Sequence, residues 1–503
     1  MKKLLSLALS AALAAALLAG CGSASSTAGE TASTGDTAAA APAAASDGTL
    51  RLAWNKDIQT MDVHKTSDNY MIPLNIFDRL FEIELGADGS TALVNSLVED
   101  YAVSEDGLTY DFTLRSGVTF SDGTPLTAND VKFTFTRMLA LPESVQSSFA
   151  TMIAGADAVL DGSAAELSGI AVADDTHFTI TLAQPFAGFL YQLAAPACSI
   201  LSEANVTAAG DDFGLDPAKT IGSGPYAVKT WTRDAGMTLD ANPNYWGEQP
   251  SVQHVEITVV PDPSTISMMF QSGEIDILDC DMIDAAIVDA TYRTQYADRI
   301  VSGHRLATTY LALNENVAPL NDVNVRKAVQ MAIDRESILA TVYSGDGTIP
   351  DGIYPEGLLV LQIIQQNLAD VGITAEIVSY DEASWLDERM SGEMCSFVAT
   401  WTADYNDPDN FIYTFFGNAE NTASRSINYY NAEVMDRVTA ARAIVDEDER
   451  LAEYAALEKQ IVETDAAWVP LCSRTHLFVT GDAIASYTPH WAGYSDFMFS
   501  GVT

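Results

Sequence analysis

The sequence predicts an α/β protein of about two or three domains, and three observations carry that prediction. The chain has 503 residues, 48% hydrophobic and 19% charged, which is long and apolar enough for several cores. Short β-branched and aromatic runs recur along it, each closed by Gly, Pro, Asn or Asp. Between them lie longer stretches whose apolar residues return at helical spacing.

The N-terminus is punctuated before any fold begins. Met1-Lys2-Lys3 and the apolar run Leu4 to Gly20 read as a secretory signal peptide over residues 1–20. Leu18-Ala19-Gly20-Cys21 resembles the bacterial lipobox, which makes Cys21 the lipidated N-terminus of the mature chain. Residues 21–48 are then almost all Ala, Ser, Thr and Gly and form a flexible tether. No later stretch has the uninterrupted apolar length of a membrane span.

Order begins at Thr49-Leu-Arg-Leu-Ala-Trp54, an alternating strand. A polar loop from Lys65 to Tyr70 leads to an apolar helix predicted over Pro73 to Phe81. Tyr110 to Arg115 and Val118 to Phe120 read as strands. Thr127-Ala-Asn-Asp130 is a capping box that opens the helix Val131 to Leu139. Val325, Ala328, Val329, Ala332 and Ile333 share one helical face, and Asp334 caps the next helix. Leu358 to Val371 is a helix closed by Gly372, and Ile373 to Val378 alternates as a strand. Asn431 and the acidic run Asp446 to Glu449 start two late helices whose charged faces need only solvent.

The stretch Thr400 to Phe411 is the densest in chemistry. Met394 to Trp401 is apolar enough for a buried strand, and Asn406-Asp407-Pro408-Asp409 must end it. Asp404 therefore lies just past the strand's carboxyl end, where open α/β sheets collect ligands. A carboxylate between Trp401 and Tyr405 suits a primary ammonium group, with the acid taking the charge and the rings shedding water. The competing reading makes Asp404 and Asp407 turn caps and the aromatics core.

Composition excludes several functions. With 25 basic and 69 acidic residues the net charge is −44, which argues against nucleic acid or an anionic membrane surface as partner. Cys198, Cys280, Cys395 and Cys472 have no C-x-x-C spacing, so either two bridges or four buried thiols account for them. His64, His177, His254, His304, His476 and His490 are scattered, so no metal site and no cofactor is expected. No Gly-x-Ser-x-Gly, HExxH or Cys/His pairing marks a catalytic centre, so no enzyme is expected.

Leu114-Arg-Ser-Gly-Val-Thr-Phe-Ser-Asp-Gly-Thr-Pro-Leu-Thr-Ala-Asn-Asp-Val131 resembles the signature of the family 5 extracellular solute-binding proteins, the peptide- and nickel-type components of ABC importers. Ile221-Gly-Ser-Gly-Pro-Tyr226, Asn242-Pro-Asn-Tyr-Trp246, Gln271-Ser-Gly-Glu-Ile-Asp276, Leu320 to Val329 with Ala332 to Arg335, and Trp401 to Phe411 continue the likeness in the family's order.

The resemblance implies a periplasmic-binding-protein-like α/β fold: two lobes with mixed sheets, an additional domain, and a hinge between the lobes. On this chain it implies lobe I from 49–92, 218–310 and 470–503, the additional domain from 93–217, and lobe II from 311–469. It carries the ammonium-holding acid of the W-x-x-D motif onto Asp404, with Trp401 and Tyr405 as walls and Asn69 and Tyr70 as further ligand contacts. The implied function is a lipid-anchored receptor outside the bacterial membrane. It would be a monomer that delivers a peptide or another amine-bearing solute to an ABC permease and ATPase complex. A nickel chelate or oligosaccharide binder is the alternative, and a secreted hydrolase a distant one. Two features depart from the family. Val398 stands where some oligopeptide binders carry an Arg, and several dozen residues of the third domain are missing at Gly357-Leu358, which predicts a hole or an unpaired sheet edge there.

Overall fold

A computed structural model describes residues 48–67, 70–86, 90–283, 287–342, 347–348, 357–491 and 499–503. The predicted signal peptide, Cys21, almost all of the tether and Asn69 lie outside them, as does the chain just before Gly357. No described helix is long and apolar enough to cross a membrane.

The chain opens with β1 (Thr49–Trp54). The helix expected over Pro73 to Phe81 stops at Ile76, and Phe81 instead opens β2 (Phe81–Leu85), which forms a hairpin with β3 (Thr91–Asn95). Phe77 is extended and Phe81 is fully buried, so tertiary packing overrides the helical spacing there. β4 (Val98–Val103), β5 (Thr109–Leu114), β6 (Ile170–Val172) and β7 (His177–Thr181) make an antiparallel sheet in the order β4-β5-β7-β6. The helix Ala128–Ala140 packs on it through Val131, Phe135 and Met138, and the predicted capping box on Thr127 and Asp130 is present. The strand expected at Val118 to Phe120 is only an isolated bridge between Thr119 and Pro125.

The chain then returns to β1. β8 (Tyr226–Thr232), β9 (Gly236–Ala241) and β10 (His254–Val259) form a mixed sheet with it, β10 lying parallel to β1 and the other pairs antiparallel. β11 (Ile277–Asp279) and β12 (Ile300–His304) flank a late strand, β17 (Ser473–Thr480), on which β14 (Gly347–Thr348) also pairs. One apolar core serves this sheet and the β1 sheet together.

β13 (Ala307–Leu313) is the centre of the last sheet, between β15 (Ser396–Thr402) and β16 (Trp468–Pro470). Its alternation is apolar on both faces. Tyr310 and Ala312 enter one core, and Leu311 and Leu313 enter another, as expected for a strand with helices on either side. The chain leaves the β17 sheet for this one at residues 305–306, touches it again through β14, and returns at 471–472.

The predicted strand Ile373 to Val378 does not form. The helix Gly357–Asp370 is in place, but residues 373–380 are irregular and pair with no described strand. The four cysteines are unbonded, with Cys198, Cys280 and Cys472 buried and Cys395 exposed. Neither sequence reading of the four thiols is therefore complete.

Candidate functional site

β15 carries Trp401 to its carboxyl end, and the chain turns there because Ala403 N donates to Leu306 O at 2.7 Å. The helix Asp409–Phe416 follows at once. Its second residue, Asn410, is buried and organises the turn from behind. Asn410 Oδ1 accepts from Trp401 Nε1 at 2.8 Å and from Asp404 N at 3.0 Å, while its Nδ2 donates to Asp404 Oδ2 at 3.1 Å. One amide thus fixes both the ring and the carboxylate.

Asp404 is partly buried. Among the described residues only Asn410 hydrogen-bonds its carboxylate, so Oδ1 is left without a donor. Burial pushes its pKa up to about 6, against the Asn410 hydrogen bond and the positive charge of Arg425. A desolvated acid with one open oxygen gains most from a cationic guest.

Basic groups gather beside it. The Arg425 guanidinium lies 4.9 Å from the Trp401 ring and 4.6 Å from Phe415, and its Nε donates to Thr414 O at 3.0 Å. Arg389 lies 5.3 Å over Trp385, with its Nε buried and without a hydrogen-bond partner among the described residues. Burial lowers the pKa of both guanidinium groups. The local balance here opposes the sign of the whole chain.

The other residues expected here have been put to structural use. Tyr405 is 8% exposed, its ring 6.3 Å from Phe149 and 6.4 Å from Phe186, and its hydroxyl donates to Asp409 Oδ2 at 2.9 Å. Asp409 also accepts from Tyr454 at 2.8 Å and lies 3.1 Å from Arg442 Nε. Asp407 pairs with Arg450 at 2.5 Å and accepts from Asp409 N at 2.9 Å, so it performs the turn-capping role that the competing reading gave it. Burial pushes Asp407 up to about 6 even so. Tyr70 is buried; its hydroxyl accepts from Gln146 Nε2 at 2.7 Å and donates to Thr66 O at 3.3 Å. Gln146 and Phe149 lie three residues apart, so one short segment links the Tyr70 loop to Tyr405.

Sequence reasoning missed Asn410, Arg425 and Arg389. Asn410 had a readable signal, since an amide one turn beyond a strand-end acid is placed to cap it. The arginines had none, because folding alone brings Arg425 to Trp401 and Arg389 within electrostatic range of Arg425. Among the described residues, Asp279, Asp281 and His476 are close enough together to share a metal ion. However, Asp281 pairs with Arg305, and His476 Nε2 lies 2.7 Å from Asp279 Oδ1.

The sequence profile of the bacterial extracellular solute-binding proteins, family 5 Middle, matches residues 92–359 and 353–423. The two segments meet where the third domain was expected to be shortened. The chain is 26% identical over 470 residues to the probable D,D-dipeptide-binding periplasmic protein of Escherichia coli (strain K12), covering 84% of this chain and 87% of that one. Among solved structures, NikA from Brucella suis in complex with Fe(III)-EDTA matches at a TM-score of 0.76 and 20% identity, over 90% of this chain and 99% of that one. DppA from Helicobacter pylori in complex with the peptide STSA matches at a TM-score of 0.72 and 23% identity, over 90% and 97%. The fold is periplasmic-binding-protein-like, with mixed sheets in two lobes and an additional domain.

Proposed function

The chain belongs to the family 5 bacterial extracellular solute-binding proteins, and from that premise we propose that it captures a peptide or another amine-bearing small solute outside the membrane and passes it to an ABC permease. Its fold and relatives support a solute receptor rather than an enzyme. We assign the ammonium group to Asp404 and the adjacent carbons to the Trp401 ring. Arg425 and Arg389 supply positive charge for the solute's carboxylate in place of the absent basic residue at Val398. Tyr405 and Tyr70 act behind these contacts, holding the loop and the facing segment in place. The E. coli relative's name specifies a dipeptide ligand, which fits the presence of both charge signs around one Trp. Closure is assigned to the crossings at 305–306 and 471–472, between 49–92, 218–310 and 470–503 on one side and 311–469 on the other. Cys21, lipidated, tethers the receptor, which acts as a monomer.

The observation that carries this reading is the open Oδ1 of a partly buried Asp404, held from behind by Asn410. Isothermal titration with a dipeptide pool tests it. Asp404→Asn should weaken binding by roughly 10- to 100-fold, the worth of a charge-assisted hydrogen bond, and Nα-acetylated dipeptides should bind the wild type as weakly. Equal affinity of wild type and variant would remove the ammonium anchor.

A further inference from the structure

Residues 93–217, the additional domain of the proposed division, are entered from lobe I and left into lobe I, so the chain does not run from them into lobe II. Side chains fasten them to lobe I as well. Arg137 Nη1 and Nη2 donate to the two Asp62 carboxylate oxygens at 3.0 and 2.6 Å, Val145 N donates to His64 O at 3.0 Å, and Leu80, Phe81 and Leu97 share one buried core. A bidentate pair on a buried carboxylate fixes orientation as well as distance. The additional domain therefore travels with lobe I.

It also meets lobe II, beside the loop that carries Asp404. Tyr405 is buried in the additional domain's core rather than in its own lobe's. Arg442, just past the helix Ala432–Ala441, is buried between two rings, its guanidinium carbon 4.4 Å from the Phe186 centroid on the additional domain and 3.8 Å from the Tyr413 centroid on lobe II. Its Nε lies 3.1 Å from Asp409 Oδ1, and Asp409 Oδ2 accepts the Tyr405 hydroxyl, so one carboxylate serves both Arg442 and the loop. The main-chain oxygen of Arg442 accepts from Ala187 N at 2.9 Å, and the Tyr191 hydroxyl donates to Glu447 Oε1 at 3.1 Å. A rotation of lobe II about the crossings at 305–306 and 471–472 must part these contacts.

We infer that Arg442 is a positioning residue for solute capture: clamped between Phe186 and Tyr413, it clasps lobe II to the additional domain and so sets how readily the cleft closes over Asp404. This rests on the closing-cleft reading of the function, and not on which solute is bound. The apparent affinity of a receptor scales with the fraction of molecules in the binding-competent form. Loosening the clasp therefore weakens a solute that never touches Arg442.

Hydrogen exchange on the solute-free full chain reads the clasp directly. Arg442→Gln keeps the main-chain oxygen that accepts from Ala187, so faster exchange of that amide reports parting of the two surfaces and not loss of the acceptor. It should speed up roughly ten-fold, the worth of a desolvated cation–π contact, while β7 and β13 stay as protected as in the wild type. Titration with the dipeptide pool should show a loss of similar size for Arg442→Gln and little loss for Arg442→Lys, which keeps a cation between the rings. Phe186→Leu leaves Arg442 beside Asp409 and should also weaken binding, but the double variant should lose less than the two single losses combined. Unchanged exchange at Ala187, lost protection in β7 or β13, equal losses for the Gln and Lys variants, or strictly additive losses would each overturn the assignment. If no dipeptide binds the wild type, the proposed solute is wrong, and the exchange at Ala187 still decides the clasp.

Discussion

Asn410 uses all of its near-side hydrogen-bonding capacity on two residues, and that makes the site sensitive to it. Its Oδ1 holds the Trp401 indole and the Asp404 amide, and its Nδ2 holds one oxygen of the Asp404 carboxylate. Removing the amide leaves a buried indole N–H and a backbone N–H unmatched and frees the carboxylate to rotate. Asn410→Ala should therefore lower affinity for an amine-bearing solute by roughly ten-fold and also lower the melting temperature, since each unmatched group costs about 1–3 kcal/mol. Titration calorimetry and a thermal melt read the two effects separately. A lowered melting temperature with intact affinity would make Asn410 a purely structural residue.

At the scale of elements, the unformed strand is the most informative. Ile373 and Ala375 still turn partly inward against the core that holds Leu311, Leu313 and Val398, so the alternation in the sequence does report which side chains face inward. What it cannot report is whether a neighbouring strand exists to pair with, and no described strand pairs with residues 373–380. Gln365 Nε2 donates to Ala375 O at 2.8 Å, a side chain standing in for a ladder. Amides of residues 374–380 should exchange with deuterium at the rate of an unfolded chain, while those of β13 stay protected. Protection across 374–380 would mean that the segment pairs after all. The same contrast explains what was legible elsewhere. Capping residues such as Thr127, Asp334, Asn431 and Asp446 announce helices locally, and all four take part in the expected helix starts. Asp404 was legible because it follows a strong strand signal. Arg425, 21 residues further along, and the burial of Tyr405 against Phe149 and Phe186 depend on contacts distant in sequence, which periodicity does not encode.

For the molecule as a whole, stability and solute affinity should respond to pH in opposite directions. Among the described residues, five acids have their pKa raised, each chiefly by burial: Glu315 to about 7, Asp404 and Asp407 to about 6, and Asp78 and Glu82 by direction. Two buried histidines, His64 and His490, are lowered to about 3. The sign follows from proton uptake. Between the unfolded and folded pKa of a raised acid, the folded state binds more protons, so stability falls as pH rises through that window. For a lowered histidine the unfolded state binds more, so stability falls as pH drops below the ordinary histidine value. Glu315, Asp404 and Asp407 against the two histidines leave the folded state with the larger uptake from about pH 7 down to about pH 5, and Asp78 and Glu82 act in the same direction, so the melting temperature of the unliganded protein should rise over that range. Below about pH 4 the trend reverses, because exposed acids such as Asp106, Asp174 and Asp262 are held below their usual range by local hydrogen bonds that protonation breaks. On the proposed assignment of the ammonium group to Asp404, solute binding follows that acid. An ammonium group needs the ionised acid, so affinity should be about ten-fold weaker at a pH one unit below its pKa of about 6 than well above it. Thermal melts and titrations over the same buffer series check both trends. In Asp404→Asn the affinity should lose its pH dependence. A melting temperature that fell steadily from pH 7 to pH 5 would show that the histidines dominate the balance.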